Sequence, residues 1–504
     1  MTQKNTLNLS KSKYCNAVQC PKMIWLKANK PEVFDDSVMN QSVLQTGNEV
    51  GDLAMGIFGD FTEVTEYKED GKIDNAKMIE RTKEELAKGT KVICEASFSY
   101  DGLFCSVDIL KNHGNNEVEI YEVKSSTEVK DIYVQDISYQ NYVLTKLGFN
   151  VVGVSLVYIN NQYIRHGELD LKQLFNIDDL TEMAKANMEM VESNIEFFRK
   201  YMEQTEEPEC LLGEQCFKPY DCGFFKYCSR ELPENNIFDV ARLTIGKKTK
   251  LLRDGYISFE DLINCPSLNE GQRMQVEFEV EDKPDYIDKE AIDEFLDTLS
   301  YPLYFLDFET FQSAIPLYDD SKPYEQITFQ YSLHYILEKG GELLHKEFLA
   351  YPGEDPRRKL AEQLCEDIPL NVCTLAYNMG FEKGRIKTLS EIYPDLKDHL
   401  LNIHDNIKDL MIPFQKKEYY TKAMQGSYSI KYVLPALFPN DPELDYHNLT
   451  GVHKGDEASQ TFKNMINMDK ETLEEWRGYL LKYCCLDTYA MVKVWQKMLE
   501  VTNR

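Results

Sequence analysis

Four carboxylates and one tyrosine between residues 304 and 487 have the types and spacing to hold divalent cations. Asp307 and Glu309 stand two apart in the run Tyr304-Phe305-Leu306-Asp307-Phe308-Glu309-Thr310. Glu382 follows Asn378 by four positions, and Asp487 follows Tyr483 by four. Acidic oxygens that bind two Mg²⁺ or Mn²⁺ ions can drive phosphodiester hydrolysis with little other help. On a strand, alternation turns Asp307 and Glu309 to one face. Such a pair at the end of a buried strand is unfavourable unless cations neutralise it. On a helix, Tyr483 and Asp487 share a face. Asp487 can then complete the cation shell, and the Tyr483 hydroxyl can orient the attacking water.

A second acidic set lies upstream. Asp108 closes one β-rich run and Glu122-Val123-Lys124 closes the next. Alternation puts Glu122 and Lys124 on one face. Two carboxylates bind Mg²⁺, and a lysine beside them positions or activates water. Thiols form a third set: Cys20, then Cys216, Cys222 and Cys228 at even spacing. The chain has 13 cysteines. Disulfides are not expected in a cytosolic protein, so clustered thiols point to zinc or an iron–sulfur cluster. Cys15 and Cys210 are further candidates. Cys94, Cys105, Cys265, Cys365, Cys373, Cys484 and Cys485 lie in apolar contexts and read as small buried hydrophobes.

The 504 residues are enough for two or three domains. A hydrophobic share of 43% and a charged share of 28% describe a globular chain. The net charge is −29, from 56 basic and 85 acidic side chains. That disfavours sequence-independent coating of nucleic acid and weighs against a nuclease, though it does not exclude an enzyme that grips its substrate through metals and a local basic groove. No apolar run approaches a membrane span, and Met1–Ser10 lacks a signal-peptide core. A cytoplasmic protein with no membrane partner is expected.

The elements that must position these groups can be read from pattern. Helices are expected near 39–57, 74–88, 129–147 and 178–203. Strands are expected at 91–99, 103–110, 117–124 and 150–159, with Asp101-Gly102 as a tight hairpin turn. Residues 235–295 read as a linker of short helical pieces, locally basic near Lys247–Arg253, in the manner of a helix-hairpin-helix. Residues 296–504 begin with strands at 301–308, 327–337 and 343–351. A helix then starts at Asp355-Pro356, followed by a strand at 371–377, a helix from 381 and a helical end from 469. The domains are therefore 1–234, 235–295 and 296–504, in an α/β fold class.

Two resemblances follow from these residues. The C-terminal segments resemble the DEDD superfamily of 3′–5′ exonucleases, in its tyrosine-bearing branch. Asp307 and Glu309 match its first motif, Asn378 and Glu382 its second, and Tyr483 and Asp487 its third. The second motif normally ends in aspartate, where this chain has Glu382. Gly426–Pro435 is similar to the segment that precedes the third motif. An RNase H-like fold is implied. The N-terminal segments resemble the RecB-like branch of the PD-(D/E)xK, restriction-endonuclease-like nucleases. Gln135 and Tyr139 match a Gln-x-x-x-Tyr that supports the site there, and Glu95 matches a common extra acid. A histidine of that branch is absent from Thr46–Gly51. The cysteine bracket resembles the iron–sulfur members, which implies a [4Fe-4S] cluster on Cys20, Cys216, Cys222 and Cys228. The first gap of the trio is longer here, which leaves zinc open.

The combination resembles a bacterial family in which a RecB-like nuclease precedes a DEDD exonuclease. It implies a metal-dependent hydrolase acting on nucleic acid, DNA ahead of RNA, in repair or defence. The C-terminal domain would trim 3′ ends, and the N-terminal domain would be a second nuclease or a DNA clamp. The competing expectation is a non-catalytic iron–sulfur or zinc scaffold with decayed nuclease folds. Glu382, the absent histidine and the acidity favour that reading. The intact acid sets oppose it.

Overall fold

The structure, a computed structural model, describes residues 8–504. The start of the chain, where no signal-peptide core is read, lies outside the described residues as far as residue 7. The fold is mixed α/β. No helix among the described residues is long and apolar enough to cross a membrane. The chain forms two compact units. One holds the chain up to Glu231 together with Ser313–Glu325, and the other holds Leu232–Gln312 and Gln326–Arg504.

The first unit is built on a seven-stranded sheet. Its strands are β1 (Leu9–Ser10), β2 (Thr62–Glu63), β3 (Val92–Tyr100), β4 (Leu103–Gly114), β5 (Glu117–Lys124), β6 (Asn150–Ile159) and β7 (Phe175–Asp179). The order is β2-β3-β4-β5-β6-β7, with β1 joined to β4. The β3–β4 hairpin turns at Asp101 (φ 46°) and Gly102 (φ 77°), the paired positive φ angles of a tight hairpin. The helix Asp131–Lys146 crosses between the parallel strands β5 and β6, and Gly148 (φ 91°) follows its end. Residues 136–144 of this helix are all buried. Its buried side-chain donors are bonded: the Ser138 hydroxyl to the Val134 carbonyl, the Asn141 amide to the Ala184 carbonyl, and the Gln140 amide to Asp136 and Glu122.

The long helix expected at 178–203 is broken up. Residues 175–179 form the edge strand β7, and Asp179 turns the chain by accepting from the Thr181 amide and hydroxyl. Two helices follow, Thr181–Ala186 and Met188–Met202, parted at Asn187, whose amide donates to Ser138. Ser313–Glu325 also belongs to this unit. Ala314, Ile315 and Tyr324 pack into a core that includes Val50, Tyr121 and Val157. The Tyr324 hydroxyl donates to the Ser125 carbonyl, and Arg165 donates to the carbonyls of Pro316 and Leu317.

The second unit opens with residues 232–312. The stretch read as a linker contains the helices Ile245–Arg253, Phe259–Leu262, Glu270–Val280 and Lys289–Asp297. The first three share a small core with Ile237, Val240, Leu251, Leu262 and Val276, and Gly255 (φ 91°) turns between the first two. Strand β8 (Tyr286–Ile287) pairs with β14 (Tyr419–Tyr420). The main sheet contains β9 (Leu303–Phe311), β10 (Ile327–Ile336), β11 (Leu344–Leu349), β12 (Cys373–Ala376) and β13 (Ile407–Asp409), in the order β11-β10-β9-β12-β13. The pairs β11–β10 and β10–β9 are antiparallel, whereas β9–β12 and β12–β13 are parallel.

Strand β9 is apolar on both faces. Tyr304, Leu306 and Phe308 face a core with Leu360, Leu364 and Ile386. Phe305 faces the helix Lys470–Thr502 and meets Trp495 edge-on at 5.7 Å. β9 continues past Glu309 to Phe311, so the acid pair lies within the strand rather than at its end. Hydrogen bonds pin the long helix to β10. Buried Gln330 donates to the Leu480 carbonyl at 2.8 Å, and the Ser332 and Thr488 hydroxyls share a bond of 2.6 Å. Replacing Gln330 with alanine strands that carbonyl and opens a cavity. We expect a stability loss of about 1–3 kcal/mol, measurable by denaturant unfolding.

Candidate functional site

In the second unit, one oxygen from each of Asp307, Glu309 and Asp487 lies within 4.8 Å of the others. Two come from alternate positions of β9 and the third from the pinned helix. Register sets the match: Asp307 is opposite Ser332 and Glu309 opposite Gln330, both of them β10 residues bonded to the helix. Glu382 is buried in the first turn of the helix Gly380–Ile392 and adds its charge to those bearing on Asp307. Its Oε2 has no hydrogen-bond partner. Asn378 is exposed on the preceding turn at φ 69°. Asp409 at the end of β13 anchors that turn by accepting from the amides of Asn378, Met379 and Met411. Tyr483 is buried one helical turn before Asp487.

Electrostatics make this site unbalanced. Burial, then the charges of Asp487, Glu309 and Glu382, push Asp307 well above the carboxylate range. Burial and Asp487 do the same to Glu309, against the pull of Lys431. Burial raises Glu382 to about 8, helped by Asp409. Burial raises Asp487 to about 6, moderated by the hydroxyls of Tyr446 and Tyr483 and by Lys431. Tyr446 donates to Asp487 Oδ1 at 2.6 Å. Acids held this way keep protons near neutrality unless cations replace them. Oxygen-only donors suit Mg²⁺ or Mn²⁺.

Tyr446, Lys431, Asp409 and Asp456, whose charge reaches Glu309, were not identified from sequence. Lys431 does fall inside the Gly426–Pro435 segment that had been singled out. The others lie in turns and short elements with no spacing that marks them.

The N-terminal acids are arranged differently. Lys11 Nζ lies 3.4 Å from Asp108 Oδ1 and 2.8 and 2.9 Å from the two oxygens of Glu122. Lys124 bridges Glu122 Oε1 at 2.6 Å and Asp136 Oδ2 at 2.7 Å. Gln140 completes the net by donating to Glu122 and Asp136, and the Val123 amide donates to Asp108 at 2.7 Å. Burial works against the Lys11 charge, but Asp108, Glu122 and Asp136 outweigh it and raise this lysine well above its ordinary value. Burial and the charges of Asp108 and Asp136 push Glu122 up to about 8, against both lysines. Burial and Asp108 raise Glu95 to about 7. Its side chain accepts from Ser106, and its φ of 58° interrupts the β3–β4 register.

The helix residues expected to support this site are offset by one position. Gln135 accepts from Tyr14, and Tyr139 stacks on Tyr14 and donates to the Leu9 carbonyl. Their neighbours Asp136 and Gln140 are the ones that meet Glu122. Lys11 was missed because its helix is almost a hundred positions from Asp108.

The four expected cysteines and Cys210 line one small cavity in the first unit. Cys20 and Cys210 Sγ are 3.7 Å apart. The bond with Cys20 lowers Cys210 to about 6, whereas burial raises Cys216 to about 11. Cys15 packs instead against the main core of this unit. The donor set fits a thiolate-held metal group. Among the described residues, the side-chain groups with three ligand atoms within 4.8 Å do not include these thiols. Four thiolates on one zinc, at about 2.3 Å each, would be only about 3.8 Å apart.

Comparisons with known proteins add one family and two relatives. Residues 304–429 match a domain of unknown function, DUF2779. That stretch includes Asp307, Glu309 and Glu382 and stops before Tyr483 and Asp487. The uncharacterized protein MG366 of Mycoplasma genitalium is 27% identical over 213 residues, which cover 38% of this chain and 31% of that protein. The uncharacterized protein UU173 of Ureaplasma parvum serovar 3 is 26% identical over 226 residues, covering 40% and 32%. The chain thus spans about a third of the length of these curated relatives. No solved structure matches it.

Cation binding at Asp307, Glu309 and Asp487, with Glu382 beside them, should release protons, Asp487 and Glu382 supplying the two values that bound the window. Apparent Mn²⁺ affinity should therefore rise with pH, most steeply between about 6 and about 8, as measured by calorimetry in buffers of different ionisation enthalpy. These acids have raised pKa values in the folded state, so their contribution to stability is full below the ordinary carboxylate value and lost as pH climbs through the raised one. Asp307→Asn should accordingly stabilise the cation-free protein at pH 8 by about 1–3 kcal/mol. In the first unit, Lys11→Met should cost about 3 kcal/mol in unfolding experiments, with part of the loss recovered by Mg²⁺.

Proposed function

We propose that this protein is a metal-dependent phosphodiester hydrolase acting on nucleic acid, DNA ahead of RNA, with its active site at Asp307, Glu309 and Asp487. One observation carries the reading: three acids converge within 4.8 Å, and the charge of Lys431 only partly offsets those of Glu309 and Asp487. Divalent cations bound there would polarise the phosphate and make water a better nucleophile. The protein's own share is positional. β9 supplies two ligands from one face, and Tyr446 fixes the rotamer of Asp487. Tyr483 lies beside Asp487 and can orient a water. Glu382, with a buried and unpartnered Oε2, can take a cation or a proton. Lys431 can meet a backbone phosphate.

The strand order and the antiparallel-then-parallel pairing of the second unit support an RNase H-like, DEDD-type assignment, and with it 3′–5′ exonuclease polarity. The β3-β4-β5 meander, crossing helix and parallel β6 support a PD-(D/E)xK-like first unit. There Lys11 already neutralises the acids, which favours a nucleic-acid clamp over a second nuclease. The cavity thiols would hold a [4Fe-4S] cluster that joins the two ends of the unit.

End-labelled single-stranded DNA, duplex DNA and RNA test the hypothesis. With Mn²⁺, wild-type protein should shorten 3′ ends, Asp307→Ala should lose at least a hundredfold in rate, and Lys124→Ala should change binding more than rate. Equal digestion by Asp307→Ala and wild type would remove the assignment. Protein purified without oxygen should be brown, and Cys222→Ser should lose the visible absorbance. A colourless wild type with stoichiometric zinc would exclude the cluster.

A further inference from the structure

Beside the carboxylates, the same sheet and helix bring together a set of different chemistry. His334 on β10, His345 on β11 and Cys485 on the helix Lys470–Thr502 each offer one ligand atom within 4.8 Å of the others. The two histidines face each other in register, with ring centroids 4.4 Å apart. Each ring is anchored through one nitrogen. His334 Nδ1 is 2.8 Å from the Thr488 hydroxyl, and His345 Nε2 is 2.9 Å from the Ser332 hydroxyl. Those hydroxyls are themselves bonded at 2.6 Å. A hydroxyl on the second nitrogen is the kind of outer partner that fixes the tautomer and orientation of a metal-binding histidine. It leaves Nε2 of His334 and Nδ1 of His345 for a ligand.

A buried histidine is more often a satisfied core residue, and His334 alone would be read that way. Two adjacent rings and a thiol, with no carboxylate bonded to either ring, are harder to explain as packing. Cys485 is only partly buried and Cys484, not Cys485, fills the core beside it. Glu347 lies two residues along β11 from His345, opposite Ser332, and its charge bears on both His345 and Cys485.

We propose that His334, His345 and Cys485 form a second metal site, for Zn²⁺ or a zinc-like ion, with Glu347 or water as the fourth ligand. Two imidazoles and a thiolate are borderline-soft donors that select zinc over Mg²⁺, so this site is chemically distinct from the all-oxygen set at Asp307. It would be a staple. The ion would tie β10 and β11 to the long helix two residue pairs along β10 from the register position opposite Asp307. The inference does not depend on what the carboxylates catalyse.

The test uses the full chain, stripped with a chelator, kept reduced and titrated with Zn²⁺, with bound zinc read by elemental analysis. His345→Ala and Cys485→Ser should each bind one zinc fewer than wild type, and zinc should raise the melting temperature of wild type more than theirs. Cys222→Ser, altered only in the cysteine cavity, should retain the zinc that the other two lose. His345 is exposed, so its removal should leave the fold intact, as circular dichroism can verify. Equal zinc binding by wild type, His345→Ala and Cys485→Ser would overturn the proposal.

Discussion

Like charges repel, and the second unit holds three of them within 4.8 Å. Everything around Asp307, Glu309 and Asp487 resists their separation. β9 is gripped between β10 and β12, so two of the acids cannot drift from each other. The third rides on a 33-residue helix that Gln330, Ser332 and His334 fasten through hydrogen bonds. Aromatic contact at Phe305 and Trp495 seats the same helix further along. The first unit meets the same difficulty differently. It interleaves two lysines with Asp108, Glu122 and Asp136, so most of the negative charge is offset without an external ion. One cluster is thus left electrically incomplete and the other is closed, a difference that residue composition alone does not reveal.

What could be read from sequence was the chemistry confined to one element. Strand alternation was enough to place Asp307 beside Glu309 and Glu122 beside Lys124, and helical spacing to place Tyr483 above Asp487. Asp101-Gly102 announced its turn through the backbone angles that those residues tolerate. The partners supplied from a distance could not be read: Lys11 to Glu122, Tyr446 to Asp487 and Asp409 to the turn at Asn378. No local period records which side chain arrives from another part of the chain. Gln135 and Tyr139 are an instructive near miss. The helix was located correctly, but its rotation about its own axis was set by Tyr14, and the adjoining residues were the ones turned to the acids. β7 was missed because a half-exposed edge strand with Asp178 and Asp179 lacks the apolar run that marks a buried one.

The cysteine cavity shows a similar limit. Even spacing singled out Cys216, Cys222 and Cys228, yet Cys210 continues the same six-residue step and also lines the cavity. Five thiols around one space exceed what a four-ligand group needs. Cys210 approaches Cys20 to 3.7 Å, the separation of two neighbouring thiolate ligands on one ion.

Ser313–Glu325 has a bearing on the ancestry of the chain. The segment is encoded between two strands of the second unit, yet Ala314, Ile315 and Tyr324 complete a core of the first. A reading frame divided after Glu231 would leave that core short of its last pieces. Duplication, swapping or loss of either half by recombination would therefore yield an incomplete protein, which disfavours the separation of the halves.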